Sequence, residues 1–211
     1  MTTTEPVPVV YVVDDDPDVL KAIERLLESA GHKVVAFPSP QQFLERFDPD
    51  AAGCLVLDLA MPGLSGLELQ GRLEQQASHL PIVFLTGRGD IAASVQAMKH
   101  GASDFLTKPV DDALLIATIR DALARDRALR PARIERERIA QRLATLTERE
   151  RQVLEHIVAG RLNKQIAADL GTVEKTIKYH RANLMRKMGV RVVADLVKLA
   201  ERAGIGSTLR T

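Results

Sequence analysis

Five short apolar runs, each followed by a helical pattern, predict an α/β domain built on a doubly wound, five-stranded parallel sheet. Four further helical segments with no strand pattern predict a second, all-α domain. The runs are continuous rather than alternating, as strands covered on both faces are. Charge divides at the same place: residues 1–126 carry a formal −9, residues 127–145 carry +4 and residues 146–211 carry +6, within a chain of net +1. An acidic first part and a basic second part imply two domains with different partners, and the basic part points to nucleic acid.

The elements follow in order. Val9-Val10-Tyr11-Val12-Val13 is the first strand, and Pro17 to Ala30 an amphipathic helix with Val19, Leu20, Ile23, Leu26 and Leu27 on one face, ended by Gly31. Pro17 suits a first helical turn. Residues 33–37 form a strand, 41–47 a short helix, 53–57 the third strand and 66–76 a helix. Residues 81–85 are the fourth strand, Asp90 to His100 a helix, 104–106 the fifth strand and 111–126 the last helix of the first domain. Residues 127–143, rich in Arg, Glu and Ala with one proline, read as an exposed helix or stiff helical linker. Helices at about 147–159, 163–170, 174–188 and 192–203 make the second domain, the first of them opened by a Thr147/Glu150 capping box.

Of 211 residues 45% are hydrophobic, so a core can form, and with no Trp and 3% aromatics it is expected to be aliphatic. The apolar runs are far too short to span a bilayer, and the N-terminus lacks the regions of a signal peptide. The single cysteine, Cys54, lies within a strand pattern, so there is no disulfide framework and the residue reads as small and buried. Cytoplasmic residence with no membrane partner is the expectation. His32, His79, His100 and His156 show no ligand spacing.

The chemistry gathers at strand ends. Asp14 and Asp15 close the first strand, Asp58 the third, Thr86-Gly87 follow the fourth, and Lys108-Pro109 the fifth. Open α/β sheets place their sites at the strands' C-terminal ends. Three carboxylates within reach of one another repel unless a cation sits among them, which points to Mg²⁺ with a lysine nearby, arranged for a phosphoryl group. Singly, each residue has a plainer reading: Asp16, Asp18 and Asp111 as caps, Thr86 as a turn residue, Phe105 as core, Lys108 as a solvated lysine. The joint order overturns those readings for Asp14, Asp15, Asp58, Thr86 and Lys108, while core packing stays open for Phe105.

On these four ordered motifs the chain resembles the receiver domain of two-component response regulators over 8–126. The resemblance implies that Asp58 accepts a phosphoryl group from a histidine kinase. It implies that Asp14, Asp15 and Asp58 hold Mg²⁺ together with the main-chain carbonyl of Ala60. Thr86 and Phe105 would switch with phosphorylation, and Lys108 would pair with the acyl phosphate. It also makes the side chains of Ala60 and Arg88 the tuners of hydrolysis; neither can hold a water in line, so a long-lived phosphate is expected. Haloacid-dehalogenase-type phosphatases share an Asp-x-Asp, a Thr, a Lys and a later acidic pair. Asp111 and Asp112 here open a helix instead of ending a strand, and that reading leaves Asp58 without work.

Residues 163–181 have helix-turn-helix grammar. Ile166, Ala167 and Leu170 face inward on a short helix, Gly171-Thr172 turn, and Val173, Ile177, Leu184 and Met188 are expected on the buried face of a second helix with a basic outer face. With Leu146 to Leu154 in front, residues 144–205 resemble the LuxR/NarL-type DNA-binding domain, and the whole chain resembles FixJ-like response regulators. Carried over by position, Lys178, Tyr179 and Ala182 read base edges. Asn163, Lys164, Lys175, Thr176, Arg181 and Asn183 touch phosphates. Ala182 departs from relatives with a longer polar residue and could offer only an apolar contact, such as to a thymine methyl. The resemblance implies double-stranded promoter DNA and RNA polymerase as partners, transcriptional activation, and a homodimer when phosphorylated. The dimer face would include Ile91, Val95, Lys99, Asp111, Asp112 and Arg120. The plainer reading is a helical bundle with a solvated basic face and a structural His180. An RNA-binding antiterminator output would instead be a three-helix coiled bundle.

Overall fold

The computed structural model describes residues 6–87 and 91–205, with the side chains of 91–94 outside that description. Arg88 and Asp90 therefore lie outside the described residues, as does the side chain of Ile91.

In the first unit, Met1–Arg130, five parallel strands stand in the order β2-β1-β3-β4-β5. They are β1 (Val9–Val13), β2 (Lys33–Phe37), β3 (Gly53–Asp58), β4 (Ile82–Thr86) and β5 (Asp104–Thr107). Between them run α1 (Pro17–Ser29), α2 (Pro40–Arg46), α3 (Gly66–Gln75) and α4 (Ile91–Lys99). Strand residues alternate in direction, so β3 feeds two cores. Leu55 and Leu57 pack with Phe43, Leu69, Leu73 and Ala97 from α2, α3 and α4. Cys54 and Val56 pack with Leu20, Ile23 and Leu27 of α1 and with Leu115 and Ile119 of the helix after β5. All six residues of β3 are buried. The predicted doubly wound sheet is thus present, strand for strand.

The core is less purely aliphatic than composition implies. Tyr11, Phe37, Phe43 and Phe47, four of the chain's seven Phe and Tyr residues, gather at one place, with ring centroids of Phe43 at 5.7 Å from Tyr11, 5.4 Å from Phe37 and 4.8 Å from Phe47. The first two pairs are edge-to-face and the third is stacked, and such ring pairs add to area burial. Cys54 is fully buried, and burial, with the Asp126 charge second, pushes its thiol up to about 12.

The helix after β5 does not stop near 126. It is a single α5, Asp112–Ala144, with Pro131 inside it. Nor is its later part exposed throughout: Ile139 and Leu143 are buried in the second unit's core. The exposed-linker expectation fails there because Ile139 and Leu143, spaced i,i+4, form an apolar stripe within an otherwise charged sequence.

The second unit, Pro131–Thr211, adds α6 (Glu148–Val158), α7 (Asn163–Asp169), α8 (Glu174–Met188) and α9 (Val193–Arg202). Val153, Leu154, Ile157, Ile166, Ile177, Leu184, Met188 and Leu196 form its core with Ile139 and Leu143. The Thr147/Glu150 capping box is formed at the start of α6. No helix among the described residues is long and apolar enough to cross a membrane.

Candidate functional site

The C-terminal edge of the sheet collects the predicted acids. β1 ends at Val13, so Asp14 and Asp15 leave from its end, while β3 ends on Asp58 itself. Val13 and Leu57 are register partners, which sets Asp14 beside Asp58 on the neighbouring strand. One carboxylate oxygen from each of Asp14, Asp15 and Asp58 lies within 4.8 Å of the other two. Asp14 and Asp58 are buried and Asp15 is exposed. Asp16 is spent elsewhere: its Oδ1 caps α1, accepting from the N–H of Asp18 at 2.8 Å and of Val19 at 3.3 Å.

Lys108 completes the cluster from two strands away. Its Nζ stands 2.6 Å from Asp14 Oδ2 and 2.7 Å from Asp58 Oδ1. Its main-chain N–H donates to the Thr86 carbonyl at 2.8 Å, so the loop carrying the lysine is tied to the end of β4. Burial raises the Asp58 carboxyl above the usual carboxylate range; Lys108 pulls it down, and the charges of Asp14 and Asp15 push it further up. Burial pulls the Lys108 ammonium down, yet its bonds to Asp14 and Asp58 outweigh this and hold it above its ordinary value. A buried carboxylate kept near a fixed cation, with two further acids at hand, is a site that wants a divalent cation and can accept a group carrying negative charge. The three hard oxygen donors fit Mg²⁺.

Thr86 is buried at the end of β4, whereas Phe105 is 41% exposed. Phe105 is therefore not core: β5 is one of the sheet's two edge strands, and only Leu106 within it is buried. Ala60 lies exposed two residues beyond Asp58.

Sequence reasoning missed the part played by Gly66. A Cβ there would lie 2.4 Å from the Asp58 carbonyl oxygen and 3.1 Å from Phe84 Cε1. Its N–H donates to Leu59 O at 3.1 Å. Glycine alone lets α3 begin directly against the main chain of the acidic strand end. A glycine at a first helical position, where residues with a Cβ are better helix formers, was the available signal.

In the second unit, Ile166 and Ala167 of α7 are buried, Gly171 turns with φ +60°, and Ile177, Leu184 and Met188 form the buried face of α8. Val173 is a correction: it is 64% exposed. It is the extended residue just before α8, at φ −100° and ψ 151°, so it does not follow the helix's face. Lys164, Lys175, Lys178, Tyr179 and Ala182 are exposed, and Asn163, Thr176, Arg181 and Asn183 half-buried. Two of these are joined: Arg181 Nη1 donates to Asn163 Oδ1 at 2.7 Å, linking α8 to the start of α7. Lys178 pairs with Glu174 one turn earlier at 2.9 Å. Arg161, which sequence reasoning passed over, shares with Asn163, Lys164, Glu174 and Arg181 the lining of an open groove of about 500 Å³.

Residues 10–120 match the family profile described as response regulator receiver domain. The chain belongs to the response regulators. Residues 144–200 match a second profile, bacterial regulatory proteins of the luxR family. Nodulation protein W of Bradyrhizobium diazoefficiens is 42% identical over 199 residues, covering 94% of this chain and 88% of that protein. Transcriptional regulatory protein FixJ of Azorhizobium caulinodans is 43% identical over 196 residues, 93% of each chain. The solved structure of response regulator StyR superposes with a TM-score of 0.75 at 46% identity, covering 92% of this chain and 98% of that one. The FixJ-like resemblance is borne out. A receiver followed by a LuxR-type domain makes this response regulator a phosphorylation-dependent transcription regulator rather than a classical enzyme, with a histidine kinase and DNA as the implied partners. Receivers bind Mg²⁺ at an acidic pocket, and Asp14, Asp15 and Asp58 form the acidic group here.

Proposed function

We propose that Asp58 is the phosphoryl acceptor of this response regulator and that its phosphorylation promotes binding of promoter DNA by α8. The observation that carries the reading is the Lys108 ammonium seated between Asp14 and Asp58 at 2.6 and 2.7 Å. An Asp58 oxygen attacks the phosphorus of a kinase's phosphohistidine; the P–N bond breaks, its electron pair returns to the imidazole, and the imidazole takes up a proton. The donor is already activated, so positioning and charge neutralisation carry the step. Lys108 exchanges one of its carboxylate partners for a phosphoryl oxygen and offsets the developing charge. Asp14, Asp15, Asp58 and the Ala60 carbonyl would hold Mg²⁺, which when bound would add to the neutralisation of charge on the phosphoryl oxygens. The Thr86 hydroxyl then turns to the phosphoryl group and Phe105 leaves its exposed position. The aliphatic side chain of Ala60 gives an attacking water no partner, which favours a long-lived phosphate.

In the same reading residues 8–126 are the receiver, 144–205 the output domain, and 127–143 the helical stretch between them, whose Ile139 and Leu143 pack into the second unit's core. Lys178, Tyr179 and Ala182 meet base edges, while Asn163, Lys164, Lys175, Thr176, Arg181 and Asn183 meet phosphates. One helix-turn-helix reads a short half-site, so a two-fold dimer is proposed when Asp58 is phosphorylated. Val95, Lys99, Asp111, Asp112 and Arg120, all exposed, offer an isologous face with crossed charges. The output is transcriptional activation with RNA polymerase in the cytoplasm. Intact-mass spectrometry after acetyl phosphate and Mg²⁺ tests the acceptor: one phosphate is expected on the parent and none on Asp58→Asn, and full labelling of the variant would refute the assignment.

A further inference from the structure

The C-terminal ends of α5 and α8 exchange cations. Arg142, in the last turn of α5, donates from Nη1 to the carbonyl of Met188, the last residue of α8, at 2.9 Å. Lys187, in the last turn of α8, donates from Nζ to the carbonyl of Thr145, just beyond α5, at 2.9 Å, and pairs with Glu150 at 2.6 Å. Two helix C-termini carry unpaired carbonyls and partial negative charge, so their approach is favourable only with cations between them. Gly189 provides the seat. It follows α8 at φ +69°, and a Cβ there would stand 3.2 Å from Arg142 Nη1 and 3.4 Å from its Cζ. Beneath the pair, Ile139 and Leu143 of α5 are buried in one core with Leu184 and Met188 of α8.

We infer that Arg142 is a positioning residue for DNA binding: it fastens the recognition helix to the helix that arrives from the receiver. α5 runs from Asp112 to Ala144 with Pro131 inside it, so the helix that begins in the first unit also carries the Arg142 that holds α8, and a change in α5 on phosphorylation would bear on Lys175, Lys178 and Tyr179 through Arg142. Arg142 itself touches no DNA. The inference rests on the function proposed above.

The test uses full-length protein and a duplex selected from random sequence by the parent in Mg²⁺ and beryllofluoride. Affinity is measured with and without beryllofluoride, and the ratio is the readout. In Arg142→Gln that ratio should fall toward one, about 3- to 30-fold below the parent's. Arg142→Lys, which keeps a cation at the end of α8, should recover most of it. A purely structural role would weaken both states alike and leave the ratio unchanged; that result overturns the inference. If Arg142→Gln loses its helical circular dichroism, Gly189→Ala decides instead, since its Cβ crowds the guanidinium and leaves the charge. A lowered ratio supports the coupling, and the parent's ratio overturns it. A parent ratio of one refutes the proposed function, and the coupling with it.

Discussion

Lys108 donates to Asp14 Oδ2 at 2.6 Å across 94 residues of sequence, and the same ammonium lies 2.7 Å from Asp58. Lys108→Gln leaves two buried acids without that cation. The first unit of the variant should unfold about 1–3 kcal/mol more easily in urea with EDTA present, and Mg²⁺ should restore part of the loss. Equal midpoints and slopes without Mg²⁺ would show that the pair contributes nothing.

Asp58 itself weakens the fold it serves. Its carboxyl is raised chiefly by burial, so the folded state holds the proton more tightly than the unfolded one. Stability therefore falls as pH rises from the ordinary carboxylate range through the raised value. Without Mg²⁺ at pH 7, Asp58→Asn should be more stable than the parent by about 1 kcal/mol. The gap should close below about pH 4, where the carboxyl is protonated in both states. A variant that melts at or below the parent at pH 7 would contradict this electrostatic account.

Glu150 has the opposite sign. Burial pushes its carboxyl up, but its bonds to Lys187 and to Thr147 outweigh burial and hold it below the usual value. It contributes stability above the unfolded-state carboxyl value, and that contribution is lost as pH falls through the depressed one. Glu150→Gln should cost the second unit about 1–3 kcal/mol at neutral pH, and the difference from the parent should vanish in acid. Thermal melts of both proteins across pH 2–7 measure it.

On α8 the two exposed lysines should behave differently. Lys175→Ala should weaken binding to all duplexes alike and lower the salt slope by about 1, whereas Lys178→Ala should cost about 1–3 kcal/mol mainly on the selected duplex. The Glu174 pair that Lys178 must leave is exposed and worth little, so it should not mask the effect. Equal losses on selected and random duplexes would move Lys178 off the base edges.

The sheet was legible because each buried strand is an uninterrupted apolar run, and the acidic site because its members stand directly at strand ends. Contacts made across the fold were not legible. Gly66 looks like any helix start until Asp58 O is seen 2.4 Å from its absent Cβ. Ile139 and Leu143 are lost among arginines and glutamates, so one long helix reads as a helix followed by an exposed helix or stiff helical linker. Val173 fits the apolar period of α8 yet precedes the helix, and Phe105 lies in an apolar run that proves to be an edge strand. Period places a residue on a face only within an element, and element ends are set by tertiary packing.

The most direct test of the account is a DNA-binding titration of the parent and Asp58→Asn on the selected duplex, with and without beryllofluoride and Mg²⁺. The account predicts that beryllofluoride tightens the parent's binding by about 5- to 150-fold and leaves Asp58→Asn unchanged. An equal response in both proteins, or none in the parent, would contradict it.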